Sequence, residues 1–293
     1  MNYLITHSTV YEYDAPVTVS RHVARLEPLT TGGQTREAFS LDITPAPAVR
    51  KSRRDYFGNQ LCFFSIQEVH RRLEVLTRSR VTVCAKPRPP ADSSPPWLQV
   101  AALFRDPVSP EVIDAYPFVF DSPCVRASMD LAEYASESFP DAAPLLAGAA
   151  DLTRRIFQDF KYDPKATTVA TPLEEVLRNR RGVCQDFAHL GIACLRSLGL
   201  PARYVSGYLR THAPPGKQRL VGADASHAWF SLFCPVNGWV DFDPTNNLMP
   251  GEEHITLAYG RDFGDVSPFS GILTGGGAHS VKVAVDVAPA EEA

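Results

Sequence analysis

Cys184 holds the position in this chain best suited to covalent chemistry. It follows Gly182-Val183 and opens a stretch, Cys184 to Leu198, in which Phe187, Leu190, Cys194, Leu195 and Leu198 recur at helical spacing. Backbone N–H groups at a helix start carry about half a positive charge and favour a thiolate. Arg178, Arg180 and Arg181, just upstream, add to that field. The thiolate is the nucleophilic form of cysteine, so the position suits attack on a carbonyl carbon. A small hydrophobe packing a helix end is the competing reading of the same residue.

A cysteine nucleophile needs a base, and the base is usually distant in sequence. His227 opens the apolar run Ser226-His-Ala-Trp-Phe-Ser-Leu-Phe233. Asp243 closes the next one, Gly238-Trp-Val-Asp-Phe-Asp-Pro-Thr245. If the chain reverses near Pro235-Val-Asn-Gly238, the two strands pair and Asp243 returns beside His227. A carboxylate there orients the imidazole and stabilises its charged form. Asp241 shares a strand face with Asp243 and competes for the role. His189 and Asp186 also lie on the Cys184 helix. His189, five positions on, is turned away from the thiol, and Asp186 sits where any carboxylate is favoured, so both read as structural. Trp229 and Trp239 either wall a cleft or pack a core.

Specific elements must position these groups. The first ~85 residues alternate with period two at Tyr3 to Tyr13 and Phe39 to Ile43, with further strands at 61–66, 73–77 and 80–84. Turn residues separate them at Thr31-Gly-Gly33, Pro45-Ala-Pro47 and Phe57-Gly-Asn59. The spacing predicts a β-rich, sandwich-like domain over 1–86. Five of the eleven residues from Lys86 to Pro96 are proline, which reads as a stiff linker, and 87–124 is expected to connect. Helices are expected at 125–138, 141–160 and 172–180, the last capped by Thr171 and ended by Gly182. A helix from Cys184 and strands at 202–209, 227–234 and 238–242 complete a catalytic core over 125–260. The polar stretch 211–222 reads as an exposed loop. A tail over 261–293 ends in the alternating strand Val281 to Val287, which could pair with the N-terminal domain.

Composition bounds the function. The chain has 293 residues, 29 Lys+Arg against 33 Asp+Glu, and 44% hydrophobic residues, enough to fill a core. A net charge of −4 argues against a broad nucleic-acid-binding face. No run approaches ~20 apolar residues, and the N-terminus lacks a signal-peptide pattern, so a cytoplasmic protein without a membrane partner is expected. None of the six cysteines forms a C-x-x-C pair, so neither a zinc knuckle nor a dense disulfide framework is expected.

Together, Arg181-Gly-Val-Cys-Gln-Asp-Phe-Ala-His-Leu190, Ser226-His-Ala-Trp229 and Gly238-Trp-Val-Asp-Phe-Asp-Pro-Thr-Asn246 resemble the core motifs of the transglutaminase-like superfamily, in the family's order. Ile5-Thr-His7, Tyr11-x-Tyr13, Leu26-x-Pro28 and Asp55-x-Phe-Gly-Asn59 resemble the N-terminal domain of its bacterial members. The resemblance implies an α+β chain with a papain-like core, in which the cysteine-bearing helix packs on an antiparallel sheet. It implies Cys184 as nucleophile, His227 as base and Asp243 as orienting carboxylate. Animal members place an upstream tryptophan at the oxyanion, but Trp97 lies in the linker region and is not assigned that role. The Cys184 backbone N–H is one expected oxyanion donor, and Tyr162 and Gln185 are candidates for the second. No D-x-D-x-D-G loop supports calcium dependence, and no cofactor or metal is expected. The implied activity is acyl transfer from a peptide or glutamine-type amide through a cysteine thioester. Hydrolysis is favoured, because broad cross-linking would harm a cytoplasm. Transfer to an amine, or a binding module that keeps the fold without activity, are the alternatives.

Overall fold

The computed structural model describes residues 1–84, 87–211 and 225–290. Beyond Thr211, the loop expected at 211–222 lies outside the described residues. Five strands fill the first 84 residues: β1 (Asn2–Ala24), β2 (Gln34–Thr44), β3 (Val49–Arg54), β4 (Gln60–Ile66) and β5 (His70–Val83). Six more follow: β6 (Lys161–Tyr162), β7 (Arg181–Gly182), β8 (Ala202–Leu209), β9 (Ala225–Cys234), β10 (Gly238–Phe242) and β11 (His254–Gly260). The last two are β12 (Phe269–Gly275) and β13 (His279–Pro289). The helices are α1 (Trp97–Leu103), α2 (Pro110–Ala115), α3 (Met129–Ser136), α4 (Leu145–Asp159), α5 (Leu173–Asn179), α6 (Cys184–Ser197) and α7 (Phe263–Val266). The fold is α+β and strand-rich, with the Cys184 helix packed on an antiparallel sheet.

β1 organises the larger, seven-stranded sheet, in the order β2-β5-β1-β4-β3. Its first half pairs with β5 and its second half with β4. Irregularities between Glu12 and Val17, and between Val17 and Val19, interrupt its ladders and curl the sheet. The chain end returns to β1: β12 pairs along 17–24 and β13 along 3–13. The strand expected at Val281 to Val287 thus lies against Ile5 to Tyr11.

The smaller sheet runs β10-β9-β8-β11, antiparallel throughout. Ala228, Phe230 and Leu232 alternate toward α6, as period two requires. Gly191 lets α6 lie close, since a Cβ there would sit 2.6 Å from the Phe230 ring. The other end of α6 is fixed by Arg196, a buried cation. It donates to the carbonyls of Phe118, Ala202 and Arg261 and to Ser122 Oγ.

Residues 97–124, expected as a connection, instead build part of the core. Val100, Phe104, Val112 and Ala115 of α1, α2 and their flanks are buried in the cluster that holds α6. Their helical apolar spacing outweighs the proline-rich run before them. α5 starts one residue later than expected. Thr171 Oγ1 accepts from the Thr168 N–H rather than capping it. It ends at Arg180, in the left-handed region at φ 52°, instead of at Gly182. The Arg180 guanidinium lies 4.9 and 4.7 Å from the Tyr134 and Phe160 ring centres, contacts that offset the backbone cost. Gly182 is left to pair in β7 against β6.

The two sheets share a third cluster, including Tyr3, Ile5, Val83, Tyr208, Ile255 and Val287. Two side-chain amides from the larger sheet and its loops also bind the backbone of β11. Gln34 donates to Leu29 O and Thr256 O and accepts from Thr256 N–H. Asn59 donates to Tyr259 O and accepts from Tyr259 N–H. Asp55 holds Asn59 in place, accepting from its side chain and from its backbone N–H. The Asp55-x-Phe-Gly-Asn59 motif is therefore a clamp on the core sheet. Among the described residues no helix is long and apolar enough to cross a membrane, which says nothing of strands.

Candidate active site

Cys184 occupies the first turn of α6, half-buried, where backbone N–H groups have no intrahelical acceptor. Asp186 closes that turn. Its Oδ2 accepts from Val183 N–H at 2.8 Å and Thr167 Oγ1 at 2.6 Å. Burial raises its pKa, and these two bonds counter the effect. Gly182 makes the cap fit, because a Cβ there would stand 2.7 Å from Asp186 Oδ2. Asp186 thus anchors the helix, as its position implied. His189 is structural too: its Nε2 accepts from Phe263 N–H at 3.0 Å. Burial pulls its pKa down to about 4, so it is a neutral acceptor at neutral pH.

His227 lies on β9, buried, and its Nε2 is 2.8 Å from Asp243 Oδ2. Cys184 stands close enough to act on the imidazole's proton affinity. Burial pulls the His227 pKa down, but the bonds and charges of Asp243 and Cys184 outweigh it and raise it to about 9.

Asp243 follows β10 and turns back through its backbone pairing with Leu248. It is fully buried. Oδ1 accepts from the N–H groups of Thr245 and Asn246. Oδ2 takes Asn246 Nδ2 at 2.7 Å, His227 at 2.8 Å and His254 Nε2 at 3.1 Å. Burial raises its pKa, yet the bonds from His227, His254 and Asn246 hold it well below the usual carboxylate range. It is an anion whose lone pairs are taken by donors. Asp241 instead lies in the field of half-buried Arg203 and lines a cavity together with Trp229 and His254. The turn after β10 thus decides between two carboxylates that alternation alone left equal.

The remaining candidates divide. Tyr162 on β6 lies close enough to Cys184 that, after burial, the thiolate's charge is the other cause raising its phenol pKa. It is half exposed, and its ring meets Phe187 at 6.5 Å. Gln185 is half-buried beside Cys184 on α6. Trp229 is fully buried, 6.1 Å from the His227 ring centre and edge-on to His254 at 5.2 Å, so it supports the site from beneath. Trp239 packs with Phe118 and Phe233 under Arg203, apart from the cysteine. Trp97 donates to Pro140 O on the α1 side.

Sequence reasoning missed His254 and the side chain of Asn246. Asn246 follows the Asp-Pro-Thr turn, where an asparagine reaches back to the turn's own carboxylate. His254 opens an apolar strand just as His227 does. His227, Asp243 and His254 bring ligand-type atoms within 4.8 Å of one another. Both imidazoles direct Nε2 at the same carboxylate oxygen, so the cluster is a hydrogen-bonded array rather than a set of open lone pairs.

Comparison with known proteins bears on the family and the fold. Residues 3–82 match the bacterial transglutaminase-like N-terminal region, and residues 133–244 match the transglutaminase-like superfamily. A Mycobacterium tuberculosis protein of uncharacterized function is 42% identical over 99% of this chain and 93% of its own length. The protein-glutamine gamma-glutamyltransferase of Pseudomonas aeruginosa is 32% identical over 34% of this chain and 16% of its own. A Cytophaga hutchinsonii protein, described as a candidate cysteine protease, superposes with a TM-score of 0.76 at 24% identity. That match covers 98% of this chain and 90% of the other, and speaks for the fold.

Proposed function

The chain belongs to the transglutaminase-like superfamily, and from that premise we propose that it is a cysteine amidohydrolase or peptidase whose triad is Cys184, His227 and Asp243. The observation that carries the reading is His227, hydrogen-bonded to a buried carboxylate and close enough to the cysteine at the start of α6 for that cysteine to raise its pKa.

The Cys184 thiolate attacks the amide carbonyl carbon, and the carbonyl oxygen becomes an oxyanion. The Cys184 N–H stabilises it, with Tyr162, which lies within reach of the thiol's charge, as the second donor. The imidazolium of His227 gives its proton to the departing nitrogen, the C–N bond breaks, and an amine or ammonia leaves. A thioester remains on Cys184. Water then attacks, His227 takes its proton, the C–S bond breaks, and a carboxylic acid departs. Asp243 keeps His227 oriented and stabilises its positive charge. Water needs no binding site, whereas an amine acceptor does, so hydrolysis is the primary outcome. Transfer to an amine uses the same thioester and is the second reading. All six cysteines are free thiols, which suits a reducing cytoplasm.

The test is incubation with a glutamine-containing peptide library, with and without a primary amine, read by mass spectrometry. Cleavage or loss of ammonia without amine gain supports hydrolysis, and amine gain supports transfer. Cys184→Ala abolishes either product, and Cys194→Ala leaves it. Peptide binding without product by the wild type refutes catalysis and favours a binding module.

A further inference from the structure

Oδ2 of Asp243 does not serve His227 alone. His254 on β11 approaches the same oxygen through Nε2, at 3.1 Å against 2.8 Å for His227. The two imidazole centres are 6.0 Å apart. An ionised carboxylate only accepts, so each ring presents a proton on Nε2. His254 Nδ1 is buried and has no protein partner among the described residues, which leaves Nε2 as the anchored proton position. Its ring is set edge-on against Trp229, and its strand is clamped by Gln34 two residues on, at Thr256. His254 is therefore held by its own strand and by Trp229, independently of His227.

We infer that His254 is a positioning residue: by donating to the oxygen that His227 uses, it fixes the Asp243 carboxylate and moderates its pull on the His227 proton. The inference rests on the triad reading above. A carboxylate oxygen bonded by a second N–H carries less charge for the first. Without His254, the carboxylate holds the His227 imidazolium more tightly, and His227 releases its proton at higher pH. Several titratable groups surround His254. Asp243 and His227 stand at Nε2. Asp241, Tyr259 and Cys84 line, with it and Trp229, a cavity of about 90 Å³. Glu253 precedes it in the chain. Of these, only Asp243 and His227 share a hydrogen-bonded oxygen with it.

The test needs no substrate. The alkylation rate of Cys184 by iodoacetamide is followed from pH 5 to 10.5 by peptide mass spectrometry in wild type, His254→Phe and His254→Gln. Wild type is expected to show a step at the pH where His227 loses its proton. His254→Phe keeps an aromatic ring against Trp229 but removes the donor, and moves that step upward by about one pH unit, the order expected for a bond to a charged group. His254→Gln offers an amide N–H and returns the step toward the wild-type position. An unmoved or downward-moved step in folded His254→Phe overturns the inference. A second measurement covers a variant that fails to fold: ¹⁵N-histidine NMR of the wild type should show a proton on His254 Nε2. An Nε2 without a proton overturns the inference. Absence of any step in the wild type, or alkylation centred on Cys194, instead overturns the triad reading beneath it.

Discussion

At the scale of single residues, reactivity here depends on how one buried carboxylate is shared. Asp243 is held ionised by donors on both oxygens, and it holds the His227 proton to about pH 9. In the proposed mechanism, the imidazolium that protonates the leaving nitrogen therefore persists through neutral pH. The alkaline limb of kcat/KM should fall near pH 9, and a limb near 6.5 would show that the Asp243 and Cys184 contacts are not made in solution. Asp243→Asn should lower kcat roughly 10²–10⁴-fold while leaving the fold, because it weakens both the charge and the orientation of the imidazole. Unchanged steady-state rates in that variant would assign the base elsewhere. Tyr162→Phe should cost kcat roughly 10–10³-fold with little change in KM, as removal of an oxyanion donor does. A KM effect alone would make Tyr162 a substrate contact.

Elements set where those residues stand. α6 begins at Cys184 because Asp186 caps it with Thr167 and Val183, and because Gly182 leaves the carboxylate room. Asp186→Ala should cost about 1–2 kcal/mol by urea unfolding and loosen the turn that carries the thiol. No loss of stability would show that the cap is idle. The sequence announced this helix, its stripe and its cysteine, since all three are local. It also announced the hairpin of β9 and β10 and the alternation within it. It could not separate Asp241 from Asp243, because that choice is made by the Leu248 pairing after the strand ends. It could not show His254 reaching Asp243 either. β11 joins β8, not β10, so their meeting is decided by sheet order rather than by any local pattern. The helices of 97–124 were hidden by the prolines before them, although Val100 and Phe104 stand four apart on one face.

At the scale of the whole molecule, the larger sheet acts on the site through β11. Gln34 and Asn59 replace a missing neighbouring strand on the backbone of that edge. Gln34→Ala would leave the Thr256 N–H and the Leu29 carbonyl unpaired, at about 1–3 kcal/mol, while Thr256 O keeps the Leu29 N–H. It should also increase hydrogen exchange at 254–260 before other strands of the core. Uniform exchange across the core would refute the clamp. The β-rich character of the first 84 residues was legible from alternation, and so was the final strand, whose expected pairing with the N-terminal domain is met on β1; β12, beside it on β1, was not foreseen. Stability should also follow pH in a stated way. Burial lowers the pKa values of His7, His22 and His189 from an ordinary 6.5 to about 4. The unfolded chain takes up those protons first, so their contribution is present above 6.5 and lost as pH falls through about 4. His227, raised to about 9, contributes fully below 6.5, and that stability is lost as pH rises through about 9. The urea midpoint should therefore peak near neutral pH and decline on both sides. A midpoint still rising at pH 9 would contradict the assignment of His227.

The central claim is that Cys184 forms a thioester. Acid quenching of a single turnover with a glutamine peptide, followed by peptide mass mapping, tests it directly. The acyl mass is expected on the peptide containing Cys184, absent from Cys184→Ala and retained in Cys194→Ala. Product formed by Cys184→Ala, or an acyl mass on Cys194, would contradict the claim.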